Sequence, residues 1–413
     1  MRTWPAPDVP VLARPAGGRL RLTDTASGRL QDAAAGKSEA RLYVCGITPY
    51  DATHLGHAFT YVTFDLAHRV WRDLGQSVAY TQNVTDVDDP LLERAAATGV
   101  DWRELAAGQI DLFRSDMAAL RVLPPQPYVG VVESLDVVTA FLGRLAAAGA
   151  VYQADDPAYP DWYFATAGAP GLGQVAHLDE AAMLAVSAER GGDPGRPGKR
   201  APLDPLVWRL ARPGEPAWDT PLGRGRPGWH VECAALALDS LGPAFDVQGG
   251  GSDLVFPHHE LCAAEASAVT GQAFAAAYVH VAMVGLDGEK MSKSRGNLGF
   301  VSELLAAGAD PMAVRLALLG HHYRTEWSWT ADDLAVAETR LARWRAAARV
   351  GGAADPARLT ADVRAGLQDD LHADRALAAV DEWADASLAS AAADPVAARE
   401  AQTVLDALLG VLL

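Results

Sequence analysis

Thiols and imidazoles are the side chains of this sequence with the most specific chemistry, and the three cysteines fall in three places, each in a stretch with histidine. Cys45 opens CGITPYDATHLGH, which carries His54 and His57; Cys233 lies in WHVEC; FPHHELC supplies His258, His259 and Cys262. Thiolate sulfur and imidazole nitrogen suit Zn2+, and a catalytic zinc keeps about three protein ligands and an open position. On a helix, His258 and Cys262 would stand four residues apart on one face, turning His259 elsewhere and making it the poorer ligand. No CxxC pair is present, so the ligands would have to converge through the fold. The competing reading is that each cysteine is a small buried hydrophobe.

A second chemistry is phosphate binding. HLGH sets two imidazoles about one turn apart at a helix start, and Gly56 between them leaves room for a flat ring or a phosphate. KMSKS, at 290–294, sets Lys290 and Lys293, two of only four lysines in the chain, beside two hydroxyls. Such a loop can close over a triphosphate and neutralise the charge developing on departing pyrophosphate. GGGSD, at 249–253, lets backbone approach a ligand and offers Asp253 to ribose hydroxyls. Taken singly, these read as a capped helix start, a solvated turn and an ordinary glycine loop.

The elements that must position these groups follow from periodicity. An apolar run at Arg41–Val44 reads as a buried strand, followed by a helix over roughly 54–74 and a strand at Ser77–Val84. Helical patterns recur at 101–121 and 131–149. Between 151 and 210, short aromatic runs broken by Gly and Pro read as an insertion between two halves of one sheet. WHVEC opens a helix, Phe245–Gln248 and Ala277–Val284 read as strands, a helix starts near Pro257, and from about 303 the chain reads as wholly helical. The expected division is a surface segment (1–40), a first core half (41–150), an inserted connective subdomain (151–210), a second core half with KMSKS (211–300) and a helical C-terminal region (301–413). In such α/β alternation, ligands bind beyond the carboxyl ends of the parallel strands.

The formal charge of -17 provides no basic field for nucleic acid. The N-terminal stretch lacks an apolar signal core and no window approaches a membrane span, so a cytoplasmic protein is expected. Three cysteines cannot make a disulfide framework.

HxGH after the first strand, a glycine loop after a later one and KMSKS after the last stand in the order of a class I aminoacyl-tRNA synthetase core. LYVCGITPYDATHLGHAFTYVTFDLAHRVW, YTQNVTDVDDP, PGWHVECAALAL, DVQGGGSDLVFPHHE and KMSKSRGNL resemble cysteinyl-tRNA synthetase, over roughly residues 40–345 and more loosely the tail. They are most similar to its paralogous family in mycothiol biosynthesis, the ligases acting on L-cysteine and glucosaminyl-inositol (1D-myo-inositol 2-amino-2-deoxy-α-D-glucopyranoside). CGITPYD stands where the synthetase has CGPTVYD, DDP at 88–90 replaces DDK, and ERGGDP (Glu189, Arg190, Gly191, Gly192, Asp193 and Pro194) is characteristic of the ligases. The short helical tail also leaves no room for the synthetase's anticodon-reading module. The fold this resemblance implies is α/β: a Rossmann-like parallel-sheet catalytic core with an inserted subdomain and a C-terminal helical bundle.

What the resemblance further implies is specific to residues. Cys45, Cys233 and His258 match the family's zinc positions, one Zn2+ per chain. Cys45, Gly46, Ile47, Thr48, Thr60, Asn83, Val84, Thr85, Trp229, Gly251, Ser252, Asp253 and Val284 match positions that contact the cysteinyl adenylate. His54 and His57 match the ATP-binding histidines, and Lys290 and Lys293 the KMSKS loop. Cys262 aligns with a further zinc-site carboxylate of the synthetase; three protein ligands are the favoured set, with Cys262 an open fourth. The implied chemistry has two steps, ATP with Mg2+ activating L-cysteine and the glucosaminyl-inositol amine then displacing AMP. Asp51 and Asp253 lie in the right motifs to accept that amine's proton or to position substrate. The ERGGDP loop would form the acceptor side or a lid, or is an exposed turn. The alternatives are a synthetase charging tRNA-Cys and a catalytically silent binding module. No nucleic-acid or membrane partner is expected, and the protein is expected to be a monomer.

Overall fold

The most apolar runs of the chain become neighbouring strands of one parallel sheet, and this puts their carboxyl ends on a common edge. The computed structural model describes residues 1–413 except 16, 170, 171, 291–297 and 353. The chain opens with an antiparallel hairpin, β1 (Arg21–Asp24) and β2 (Arg29–Asp32). The first core half runs β3 (Glu39–Val44), α1 (Leu55–Asp73), β4 (Ser77–Val84), α2 (Asp89–Thr98), α3 (Trp102–Ala119), β5 (Tyr128–Gly130) and α4 (Leu135–Ala147). An antiparallel sheet follows, β6 (Val151–Gln153), β7 (Trp162–Phe164), β8 (Leu206–Leu210) and β9 (Gly225–Pro227), with α5 (Glu180–Glu189) between β7 and β8. The parallel sheet resumes with α6 (Trp229–Leu241), β10 (Phe245–Gly251), α7 (Glu260–Thr270) and β11 (Ala275–Val281). Its order is β11-β10-β3-β4-β5. From β3 the chain steps one way to β4, and from β10 the other way to β11. The switch point therefore lies between β3 and β10, where α/β sheets open a crevice for ligands.

Alternation along β3 assigns its two faces. Leu42 and Val44 join the core under α1 and the C-terminal helices, while Tyr43 and Cys45 join the core under α4, α6 and α7. Both faces are covered, as an all-parallel sheet requires. α1 is buried along most of its length, including Phe59, Phe64, Val70 and Trp71.

A small sheet joins β12 (Val284–Leu286) and β13 (Glu289–Lys290) to β14 (Trp327–Trp329). The remaining helices are α8 (Val301–Ala306), α9 (Pro311–Leu319), α10 (Ala331–Val350), α11 (Pro356–Gln368), α12 (Ala373–Ala389) and α13 (Pro395–Val404). A capping box of Thr330 and Asp333 starts α10, and Asp310, Asp355 and Asp394 cap α9, α11 and α13, each before a proline. Among the described residues no helix is long and apolar enough to cross a membrane.

Three local expectations change. The tail is not wholly helical after 303, because Trp327–Trp329 pairs in parallel with β12. The strand expected at 277–284 is two: β11 stops at Val281, since Tyr323 O takes the Ala282 N–H at 2.7 Å and the chain leaves the sheet. Residues 1–40 also do more than cover a surface. Trp4, Leu20 and Leu22 lie in the main core, and Trp4 Nε1 donates to Val122 O at 2.7 Å.

Candidate active site

Cys45 directly follows β3 and faces the α6–α7 side, where it meets Cys233 from the second turn of α6. His258 approaches from the turn before α7. One ligand atom from each of Cys45, Cys233 and His258 lies within 4.8 Å of the other two, and all three residues are buried. The Cys233 thiol is pushed well above its ordinary pKa, first by its hydrogen bond with Cys45, then by burial and by the neighbouring Cys45 charge. Two thiolates crowded in a dry site repel each other, and a divalent cation among them reverses that balance. His258 is held well below its usual pKa by burial and by His230, leaving the neutral imidazole that metal ligation requires. Donor chemistry, burial and convergence therefore fit a thiophilic metal ion.

His258 and Cys262 stand on one side of the turn that runs into α7, although the backbone breaks just ahead of it. Phe256 precedes Pro257 and takes extended backbone, φ -135° and ψ 138°, as residues before proline do. α7 starts only at Glu260, so His258 stands ahead of it. The Cys262 thiol points to His230 O at 3.2 Å and lies 3.9 Å from His258 Nε2, outside the three-atom cluster. Trp229 stacks on the His258 ring at 4.1 Å, and His230 Nδ1 meets His258 Nδ1 at 3.0 Å.

His259 lies outside the three-atom cluster but its ring still reaches Cys45. Its Nε2 lies 3.2 Å from Cys45 Sγ and 3.0 Å from Gln248 Nε2, and its Nδ1 lies 2.8 Å from His280 Nε2. His280 Nδ1 in turn lies 2.7 Å from Thr25 Oγ1, so a buried chain of hydrogen-bonding groups runs from Cys45 to the N-terminal hairpin. The sequence reading left out Gln248, His280 and Thr25. A signal existed for two of them: Gln248 and His280 are polar residues well inside buried parallel strands, FDVQGGG and AAAYVHV.

The residues expected on the nucleotide side gather on the same edge. His54 is the N-cap of α1, its Nδ1 accepting the His57 N–H at 3.3 Å, and the two rings stack at 3.6 Å. Burial lowers the His54 pKa to about 4, and burial together with His54 holds His57 well below the usual range. Thr60 Oγ1 donates to Gly56 O at 3.1 Å. Gly46 N donates to Asn83 Oδ1 at 2.9 Å, Asn83 Nδ2 to Thr85 Oγ1 at 3.2 Å, and Thr85 N to Ile47 O at 3.0 Å, while Tyr50 N donates to Thr48 O. Val84 ends β4, Gly251 ends β10 with Ser252 and Asp253 in the tight turn beyond it, and Val284 opens β12. Lys290 closes β13, while Lys293 lies outside the described residues. Beyond that gap the chain returns to HLGH: Leu55 N donates to Gly299 O at 2.9 Å and Val301 N to Thr53 O at 3.1 Å.

ERGGDP follows α5 in the inserted region. Arg190 donates to the carbonyls of Asp253 and Phe256. Asp193 accepts from Tyr163 Oη at 2.6 Å and Lys199 Nζ at 2.8 Å.

The chain is similar to known proteins. Residues 32–339 match the model of the class I (C) tRNA synthetase catalytic domain. The L-cysteine:1D-myo-inositol 2-amino-2-deoxy-alpha-D-glucopyranoside ligase of Thermobifida fusca is 62% identical, covering 100% of this chain and 99% of its own. The ligase of that name from Nocardiopsis dassonvillei is 58% identical over 100% of both chains. The chain belongs to this ligase family. Among solved structures, Mycobacterium tuberculosis methionyl-tRNA synthetase in complex with methionyl-adenylate superposes with a TM-score of 0.63, covering 90% of this chain and 89% of that one at 17% identity. That likeness shows the class I synthetase fold, α/β with a parallel central sheet and a helical C-terminal region, on which this ligase family is built.

Proposed function

We propose that this protein joins L-cysteine to the amine of glucosaminyl-inositol in two steps through a cysteinyl adenylate. The observation that carries the reading is the convergence of Cys45, Cys233 and His258 on the sheet edge that also bears the HLGH helix start. The family membership supplies the acceptor, as the name of its relatives states it. The chemistry a Zn2+ would supply, held by those three residues, is binding of the substrate sulfur as thiolate, which selects cysteine over serine without editing.

The remaining work falls to the chain's own groups. The strand-end residues Cys45–Thr48 and Asn83–Thr85, with Thr60, Trp229, Gly251–Asp253 and Val284, surround the adenylate. Because His54 accepts at Nδ1 and is neutral, it carries its proton on Nε2 and can donate it toward a phosphate oxygen. His57, neutral and stacked beneath it, fixes that ring. Lys290 and Lys293 neutralise the departing pyrophosphate of ATP, which enters with Mg2+. In the first step the cysteine carboxylate attacks the α-phosphorus and pyrophosphate leaves. In the second, the neutral amine attacks the adenylate carbonyl, AMP leaves, and one proton is released. Neither Cys262, protonated against a backbone carbonyl, nor the ERGGDP loop, tied into the protein, is needed as a ligand in this scheme.

Mass spectrometry of a reaction containing ATP, L-cysteine and glucosaminyl-inositol tests the proposal. An amide adduct formed with one equivalent each of AMP and pyrophosphate is expected. Charging of tRNA-Cys with no turnover of glucosaminyl-inositol would overturn the acceptor assignment.

A further inference from the structure

The segment that carries His258 is short and broken at Phe256. Between the end of β10 and the start of α7 it turns tightly at 252–254, extends at Phe256 and turns again through 257–259. Two charged side chains tie it to the inserted region, one from each side. Arg190, at the C-terminus of α5, donates from a single nitrogen, Nη1, to the carbonyls of Asp253 and Phe256. Glu260, two residues after His258, is buried and sends its carboxylate the other way. It accepts the N–H groups of Gly173, Val175 and Ala176 at 2.8, 2.9 and 2.8 Å, all from the loop after β7. Charge-assisted bonds of this kind are about twice as strong as neutral ones.

The ERGGDP stretch is built to aim Arg190. Gly191 has φ +82°, a left-handed conformation that favours glycine. A Cβ on Gly192 would lie 2.2 Å from Ser187 Oγ and 2.7 Å from Ser187 O, so only glycine lets the chain fold back onto α5. Asp193 then locks the turn to β7 through Tyr163 and to the buried Lys199. Each residue from Arg190 to Asp193 thus serves a joint between the insert and the segment before α7.

We propose that Arg190 and Glu260 are positioning residues that hold His258 in register with Cys45 and Cys233, so that metal retention and cysteine binding depend on the inserted region. The inference rests on the metal reading above. It follows from the physics of such sites: a ligand on an irregular segment is only as well placed as the groups outside the site that fix it, and losing one such group costs about 10- to 100-fold in metal affinity. Because both Arg190 bonds leave one nitrogen, an ammonium can replace them in part, which a role needing the whole guanidinium fork would not allow.

The test uses full-length wild type, Arg190→Ala, Arg190→Lys and Glu260→Gln, each first checked for an unchanged cooperative melt. Zinc content and zinc release to a chromogenic chelator are measured, with KM for cysteine and for ATP in pyrophosphate exchange. Arg190→Ala is expected to release zinc about 10- to 100-fold more readily and to raise the cysteine KM, leaving the ATP KM in place. Arg190→Lys should fall between Ala and wild type, and Glu260→Gln, which sets a donor against backbone donors, should behave like Arg190→Ala. A folded Arg190→Ala that holds zinc and binds cysteine as wild type does overturns the proposal, as does equal loss in Ala and Lys. A wild-type protein that purifies without zinc and cannot be loaded with it overturns the metal reading, and this inference with it. The two failures are thereby told apart.

Discussion

At the scale of single residues, His54 shows how local geometry decides chemistry. Its Nδ1 is occupied by the His57 N–H, so its proton sits on Nε2, and burial keeps the ring neutral down to about pH 4. An unfolded histidine protonates near pH 6.5. The unfolded chain therefore binds more protons between those values, and this residue withdraws stability as pH falls from about 6.5 to 4. Carbon-13 NMR of the labelled imidazoles, assigned with His54→Asn, should give a His54 midpoint near 4 in the ligand-free protein. A midpoint near 6.5 would refute the neutral donor. Cys233 makes a second prediction. Cys233→Ser keeps the size of the side chain but replaces a soft sulfur with a hard hydroxyl, so the variant should lose about tenfold or more in zinc affinity and most of its preference for cysteine over serine. Unaltered adenylation of cysteine by that variant would sink the metal's role.

At the scale of elements, the site depends on how closely the ends of β3 and β4 meet. A Cβ on Gly46 would lie 1.6 Å from Asn83 O, a backbone atom of the neighbouring strand that no rotamer change can move. Gly46→Ala should therefore cost about 1–3 kcal/mol in denaturant unfolding and raise the cysteine KM, because the Gly46–Asn83 bond must lengthen. Wild-type stability and KM together would show that this edge is looser than the geometry requires. Much of the framework was legible beforehand. β4 is found over Ser77–Val84 as expected, because a buried strand between turn residues has an unambiguous pattern, and α1 and α6 start at HLGH and WHVEC. Convergence of Cys45, Cys233 and His258 was legible only through family resemblance, since no spacing rule brings together residues on three elements. The helix start expected near Pro257 agrees with the extended Phe256, because the residue before proline resists helix. The roles of His259, Arg190 and Glu260 could not be read at all, because each bonds to a group distant in sequence and set by topology.

At the scale of the whole molecule, the helix that carries HLGH is held from behind by a buried charge cluster reaching the last residues of the chain. Asp65 on α1 accepts from Arg69 Nε at 2.7 Å, from Arg315 of α9 and from Leu123 N at 2.8 Å. All three charged side chains are buried, two cations against one anion. The surplus positive charge meets carbonyls at the end of the C-terminal helix: Arg69 reaches Asp406 O at 2.7 Å and Arg315 reaches Leu409 O at 2.7 Å, just before Gly410 turns the chain at φ +65°. Carbonyls in the last turn of a helix carry partial negative charge, so these are the acceptors such a pair requires. Burial opposes ionisation of Asp65, but the two guanidiniums and the Leu123 N–H outweigh it and hold its pKa at about 2. Its contribution is present above the unfolded value near 3.9 and is lost as pH falls toward 2. Asp65→Asn, which strands two buried cations, should cost about 3–5 kcal/mol in reversible denaturant unfolding at neutral pH. Adding Arg315→Met removes one of those cations and fills its space with an apolar chain. The double variant should then be more stable than the sum of its two single losses predicts, by a coupling of about 1 kcal/mol or more. Strict additivity would mean that Asp65 and Arg315 act separately, and that this ion pair does not couple the tail to the HLGH helix.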